Sequence, residues 1–119
     1  MKTFRDIFAW QKGYELTLLI YKTTKGFPKS EEFGLKSQLR RATISIISNI
    51  AEGFKRLGNK DKIRFYNMAE ASLEEVKCQT MLSRDLGLID HDTHKKICRI
   101  EDETGKMLQG WIKAQQRNA

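Results

Sequence analysis

The chain has 119 residues, with 22 Lys and Arg against 15 Asp and Glu, which gives a formal net charge of +7. This length allows a single domain with a core of its own. The N-terminus lacks the long apolar segment of a secretion signal, and no apolar run reaches the ~20 residues of a membrane span, so we expect a soluble, cytoplasmic protein.

Helical segments separated by short breaks account for nearly the whole chain. The single proline and the charged content of 31% favour helices over sheet. Short connections make consecutive helices antiparallel neighbours. The sequence therefore predicts one domain over residues 1–119, an all-α, antiparallel up-down-up-down four-helix bundle. Its helices are expected over residues 6–25, 31–57 and 60–86, and from a cap at Asp90 or Asp92 to about residue 115.

Single residues are expected to mark the helix ends. Glycine ends helices, and Ser, Asn and Asp side chains cap their N-termini. The first helix is apolar nearly all round between Tyr14 and Tyr21, so its pattern does not fix which face is buried. The expected end signals are Ser30, Asn59 and Asp90 or Asp92 at N-termini, and Gly26 and Gly87 at C-termini.

The second helix carries two apolar stripes, separated by roughly 140° around its axis. A bundle helix in a lone small protein needs only one such stripe, so the second predicts an interface with another copy of the chain. A short strand is the alternative for residues 43–46, although helical spacing continues from residue 39 to residue 53. The core stripe consists of Leu39, Ala42, Ile46, Asn49, Ile50 and Gly53, and the interface stripe of Ile44, Ile47, Ala51 and Phe54.

Basic charge is concentrated in residues 36–64, which hold eight Lys and Arg against two acids, a net charge of +6. Such a density can neutralise several phosphates with salt-dependent affinity that ignores base sequence. No Phe or Tyr alternates with these residues as on a base-stacking platform. The alternative is a solvated basic face without a partner. RNA or DNA is expected to bind at Arg40, Arg41, Lys55, Arg56, Lys60, Lys62 and Arg64.

The sequence offers no pattern typical of a catalytic centre, a cofactor site or a metal site. It lacks the Glu-x-x-His pairs of di-metal bundles, and His91 and His94 lie beside aspartates that suit a helix start. Cys78 and Cys98 form no CxxC pattern and are expected to be reduced thiols. We therefore expect a protein that is not an enzyme, with a metal-dependent nuclease as the enzymatic alternative.

One stretch of the second helix carries a family resemblance. It reads Gln38-Leu39-Arg40-Arg41-Ala42, then Ser45-Ile46, then Asn49-Ile50-Ala51-Glu52-Gly53. It resembles a bacterial family of small four-helix-bundle proteins first noted as open reading frames in intervening sequences of 23S ribosomal RNA genes. Further matching positions are Trp10-Gln11-Lys12, Phe27-Pro28, Arg56, Phe65, Ala69, Ser72-Leu73 and Glu75.

The resemblance implies a fold and an assembly more than an activity. Relatives include the accessory variability determinant of diversity-generating retroelements, a homopentameric ring that associates with a reverse transcriptase and with nucleic acid. The family often has proline at the position of Ile47 and glycine at that of Ala71, so a kink in the second helix is expected to be absent here. The resemblance thus implies a homopentamer that binds RNA or DNA without being an enzyme. The alternative is a protein–protein scaffold or adaptor for a nucleic-acid enzyme such as a reverse transcriptase.

Overall fold

Four helices make up most of the molecule in the computed structural model, which describes residues 1–118. They are α1 Phe8–Thr24, α2 Leu35–Lys55, α3 Asn59–Asp85 and α4 His91–Arg117, with short 3-10 turns at Phe4–Asp6 and Lys29–Glu31. Both α2 and α4 pack against α1 and against α3. The predicted all-α up-down-up-down bundle is confirmed. Residues 1–118 contain no strand, which rules out the strand alternative for residues 43–46.

The predicted core stripe of α2 is buried, with Asn49 as its partly exposed member. The Asn49 side chain satisfies its own amide by donating from Nδ2 to the Ser45 carbonyl at 2.8 Å. Each fully buried Leu or Ile contributes roughly 1.5–3 kcal/mol of hydrophobic free energy. The core that the stripe joins includes Leu16 and Ile20 of α1, Tyr66, Leu73 and Val76 of α3, and Ile97 and Leu108 of α4.

The rotation of α1, which its sequence pattern leaves open, is set by a close approach to α2. A Cβ atom on Gly13 would lie 3.1 Å from Ile47 Cγ2, so a larger residue here would require the Ile47 side chain to shift by a few tenths of an ångström. Leu16 then faces the core, whereas Tyr14 and Leu18 remain exposed. The apolar surface of α1 is therefore shared between the core and solvent.

Two of the predicted N-terminal caps are wrong. Ser30 lies inside a 3-10 turn, and α2 begins only at Leu35, whose amide donates to Glu31 Oε1 at 3.0 Å. Asn59 is the first residue of α3, where its Nδ2 donates to the Gln115 carbonyl at 3.2 Å instead of accepting from a helix amide. The first hydrogen bond is local, four residues along the chain, whereas the second joins two helices.

The other helix boundaries follow their predicted signals. Asp90 caps α4 by accepting from the Thr93 amide at 2.7 Å. Gly87 follows α3 with φ of 77°, the left-handed conformation that glycine adopts without strain. Although α3 and α4 each have 27 residues, none of the helices described within residues 1–118 is apolar enough to cross a bilayer.

Candidate nucleic-acid interface

Three distant parts of the chain meet at one end of the bundle. They are the N-terminal 3-10 turn with the start of α1, the α2–α3 connection, and the end of α4. Phe4 of the turn lines a shallow pocket with Lys55 and Arg56, and the Asn59 side chain reaches the Gln115 carbonyl. An antiparallel bundle requires this meeting, because α1 and α3 start where α2 and α4 end.

Most of the net charge of the chain lies at this end, which we name the basic end. It holds nine basic and three acidic side chains, a net charge of +6 out of a total of +7. A surface of one sign raises the local concentration of polyanions and steers their association. The acids are Asp6, Glu52 and Asp61, and the bases are Lys2, Arg5, Lys55, Arg56, Lys60, Lys62, Arg64, Lys113 and Arg117.

Two arginines of the basic end are held by the same aromatic ring and the same carboxylate. The guanidinium carbons of Arg56 and Arg64 lie 4.2 and 4.6 Å from the centroid of the Phe65 ring. Asp61 Oδ2 lies 3.7 Å from Arg56 Nε, and its Oδ1 lies 3.0 Å from Arg64 Nη2. Both guanidinium groups are thereby restrained on the surface, where their planar donor groups match the oxygens of a phosphate.

The lysines of the α2–α3 connection differ in whether their ammonium groups are free to bind a ligand. Lys62 Nζ donates to the carbonyl of Phe54 at 2.5 Å and to that of Gly53 at 3.4 Å, so it satisfies the C-terminus of α2. Lys55 and Lys60 are exposed and belong to none of the ion pairs formed within residues 1–118. Their ammonium groups are the ones available to a ligand.

Arg40 and Arg41 lie apart from the basic end, at a distance along α2 of roughly 20 Å. Arg40 donates from Nε to Thr24 Oγ1 at 2.9 Å and from Nη2 to the Tyr21 carbonyl at 3.2 Å, and so it satisfies the C-terminus of α1. Arg41 pairs with Glu75 of α3. The structure therefore brings five of the seven predicted nucleic-acid-binding residues together and places these two elsewhere.

Four bases of the basic end lie outside the predicted segment: Lys2, Arg5, Lys113 and Arg117. They come from the two ends of the chain, so counting charge along sequence windows does not group them with the α2–α3 connection. The predicted antiparallel topology is the signal that could have found them, because it places both chain ends beside that connection.

The second apolar stripe of α2 is only partly covered by the rest of the described chain. Ile44 is 42% exposed, while the other three residues of the stripe are partly buried. Ile47 is covered at the close approach of α1, and Phe54 packs against the core. The interface with a second copy stays a prediction. We name the apolar surface that remains the α1–α2 face. It consists of the exposed Tyr14, Leu18 and Ile44 and the partly buried Ala51.

One pair of side chains has the atoms of a nucleophilic site without its electrostatics. Cys98 Sγ lies 3.5 Å from His94 Nε2. Burial raises the pKa of the Cys98 thiol and lowers the pKa of the His94 imidazole, which favours the neutral form of both groups. An activated thiolate–imidazolium pair needs the opposite shifts. Within residues 1–118, no group of three His, Cys, Asp or Glu side chains is placed to hold a metal ion.

Comparisons with known proteins agree with this architecture. The family model described as 23S rRNA-intervening sequence protein matches residues 5–110. A crystal structure at 1.70 Å resolution, of a protein of unknown function from the S23 ribosomal protein family of Bacteroides thetaiotaomicron VPI-5482, superposes with a TM-score of 0.78. The two chains are 25% identical, and the match covers 88% of this chain and 98% of that one. No curated protein matches the sequence.

Proposed function

The chain belongs to the 23S rRNA-intervening sequence protein family, and from that premise we propose that it is a non-enzymatic, homo-oligomeric bundle that binds RNA or DNA through its basic end. The observation that carries the proposal is the concentration of a net charge of +6 at one end of the molecule. Charge spread evenly would attract a polyanion far less than the same charge in one patch.

The geometry of the basic end supports contacts to phosphate. Arg56 and Arg64 are restrained beside one another, so little side-chain entropy is lost when they bind. Lys55 and Lys60 extend into solvent on either side of the α2–α3 connection. Within residues 1–118, no side chain caps the N-terminus of α3, and its helix dipole adds positive potential at the same place. Contacts of this kind give an affinity that depends on salt concentration and is independent of base sequence.

Reversing two charges at the basic end tests this proposal. The double variant Lys55→Glu and Lys60→Glu is expected to bind an RNA or DNA oligonucleotide at least about tenfold more weakly at low salt, and the slope of log affinity against log salt is expected to fall by about 2. Fluorescence anisotropy at several salt concentrations measures both quantities.

The matched control reverses two lysines at the opposite end of the bundle. Lys22 and Lys25 are also exposed, at the end of α1, and Lys22→Glu with Lys25→Glu changes the net charge by the same amount. If this control weakens binding as much as the reversal at the basic end does, total charge governs binding and the site assignment is wrong.

The α1–α2 face is the surface through which we propose that copies associate, and the family resemblance gives five as the number of copies. Several basic ends on one ring would multiply the strength of weak contacts to a polyanion. Ile44→Asp, at a position already 42% exposed, is expected to leave the bundle folded and to release single chains. Met81→Asp on α3, at a position 50% exposed, is the matched control. Sedimentation of the wild-type protein as a single chain would contradict the assembly.

The second candidate function is a scaffold or adaptor for a nucleic-acid enzyme such as a reverse transcriptase. Leu57 favours it, because this apolar side chain is fully exposed among the charges of the α2–α3 connection. Capture of protein partners from lysate with and without nuclease treatment separates the two functions. Partners that survive nuclease favour the adaptor, whereas partners lost with the nucleic acid favour direct binding.

A further inference from the structure

The basic end contains a small apolar notch between α1 and α4 that the phosphate contacts do not use. Its volume is about 230 Å³, below the roughly 300–1,000 Å³ of pockets for drug-sized ligands. Phe8 forms one wall and is 68% exposed, an unusual exposure for an aromatic ring. The residues of α4 that line it are Met107, Gly110, Trp111 and Ala114.

Gly110 contributes to the open volume of the notch. It lies inside α4, where glycine lowers helix stability by roughly 0.5–1 kcal/mol relative to alanine. Among the described residues 1–118, a Cβ atom at this position would meet nothing within 4 Å, so no close contact with them requires a glycine. What its missing side chain provides is open space in the notch.

The charge around the notch identifies the class of its occupant. Lys2, Lys113 and Arg117 flank the lining residues in sequence. Asp6 is engaged by the backbone amides of Lys2 and Thr3, and Glu15, beside Phe8 and Met107, pairs with Lys12, as does Glu103. An occupant that suits both the apolar notch and the positive charge around it has a small apolar planar group on a polyanionic chain. A nucleobase on its sugar–phosphate backbone has this chemistry.

We propose that the notch takes an unpaired base, so that the ligand of the basic end is single-stranded rather than duplex nucleic acid. This inference rests on the proposed function and specifies its ligand. The phosphates lie on the arginines and lysines, while one base leaves the strand and stacks against Phe8 and Trp111. In a duplex every base is already stacked and paired, so the notch would stay empty.

An oligonucleotide with abasic sites tests the proposal, because it keeps the phosphates and removes the bases. The wild-type protein is expected to bind an unstructured single strand about tenfold more tightly than the abasic strand of equal length, and more tightly than the duplex despite the greater charge of the duplex. Equal affinity for normal and abasic strands would overturn the assignment of the notch and leave the proposed function standing. If neither strand binds, the proposed function itself is wrong.

Filling the notch gives a second test. Gly110→Leu is expected to fold normally and to lose the preference for normal over abasic strands, whereas Gln109→Leu, an exposed neighbour outside the notch, keeps it. Phe8→Ala, at an exposed position, checks the same wall if the Leu variant folds poorly. In a Trp10→Phe background, quenching of Trp111 emission by the normal strand alone reports stacking directly. Unchanged preference in both notch variants would refute the proposal, and a change in oligomer size in Gly110→Leu would assign the notch to a contact between copies instead.

Discussion

Replacing Gly53 by alanine is expected to lower the free energy of unfolding by about 2 kcal/mol. Gly53 lies near the end of α2, where α3 crosses it. A Cβ atom there would lie 2.6 Å from Cε1 and 3.0 Å from Cδ1 of Tyr66, and 3.1 Å from Cβ of Phe65. The Tyr66 ring is fully buried, so relieving this overlap requires the packed ring or the two helices to shift.

Gly110→Ala is the control for this experiment, since it makes the same chemical change in a helix without a steric conflict. It is expected to raise stability by up to about 1 kcal/mol through helix propensity. Urea denaturation of both variants measures the difference. If Gly53→Ala is as stable as wild type, the close approach of α2 and α3 is looser than described. In the Asn-Ile-Ala-Glu-Gly stretch that resembles the family, the glycine has a structural reason of this kind.

The fold was predictable because its signals act over a few residues. Apolar residues at helical spacing predicted the buried stripe of α2, and Gly87 and Asp90 end and begin helices as local rules require. The caps expected from Ser30 and Asn59 failed for different reasons. Glu31, four residues before Leu35, hydrogen-bonds the start of an α2 that begins later than predicted, whereas the Asn59 side chain donates to a carbonyl of α4 that only the folded structure brings near.

The candidate site was predictable only in part, because the charge pattern of the sequence does not reveal which Lys and Arg side chains form hydrogen bonds within the folded chain. Lys62 and Arg40 both donate hydrogen bonds to carbonyl groups at the ends of helices. No spacing rule for the sequence indicates these bonds. Lys113 and Arg117 join the basic end only through the antiparallel topology. Phe8 lines the notch with Trp111 and Ala114 of α4 for the same reason, so aromatic rings lie at the basic end although none alternates with the charges in sequence.

Glu101→Gln is expected to stabilise the protein at neutral and alkaline pH by roughly 3 kcal/mol. Glu101 is only 3% exposed, and its carboxylate Oε2 accepts from Thr80 Oγ1 at 2.9 Å. Burial raises the pKa of this carboxyl from the usual 4.5 to about 7, an effect that the Thr80 hydrogen bond and the charge of Lys77 partly offset. Glutamine keeps the acceptor oxygen for Thr80 and cannot ionise.

The sign of the pH dependence follows from where the proton is held. Below about pH 4.5 the carboxyl is neutral in both folded and unfolded chains, and the two proteins have similar stability. Between about pH 4.5 and 7 the unfolded chain releases this proton while the folded protein retains it, so the wild type loses stability relative to the variant. Above about pH 7 the difference becomes constant, because the carboxyl is then ionised in both states. Denaturation at a series of pH values from 4 to 9 follows the difference.

Glu103, two residues further along α4, provides a control with the opposite sign. Hydrogen bonding to Lys12 lowers the pKa of this carboxyl, with Glu103 Oε2 at 2.8 Å from Lys12 Nζ. Its stabilising effect is therefore present above its unfolded pKa and disappears on acidification. Glu103→Gln is expected to be less stable than wild type at neutral pH and to converge with it at low pH. If Glu101→Gln followed that same pattern, Glu101 would be an ion-paired carboxylate, and the buried, proton-holding environment between α3 and α4 would be wrong.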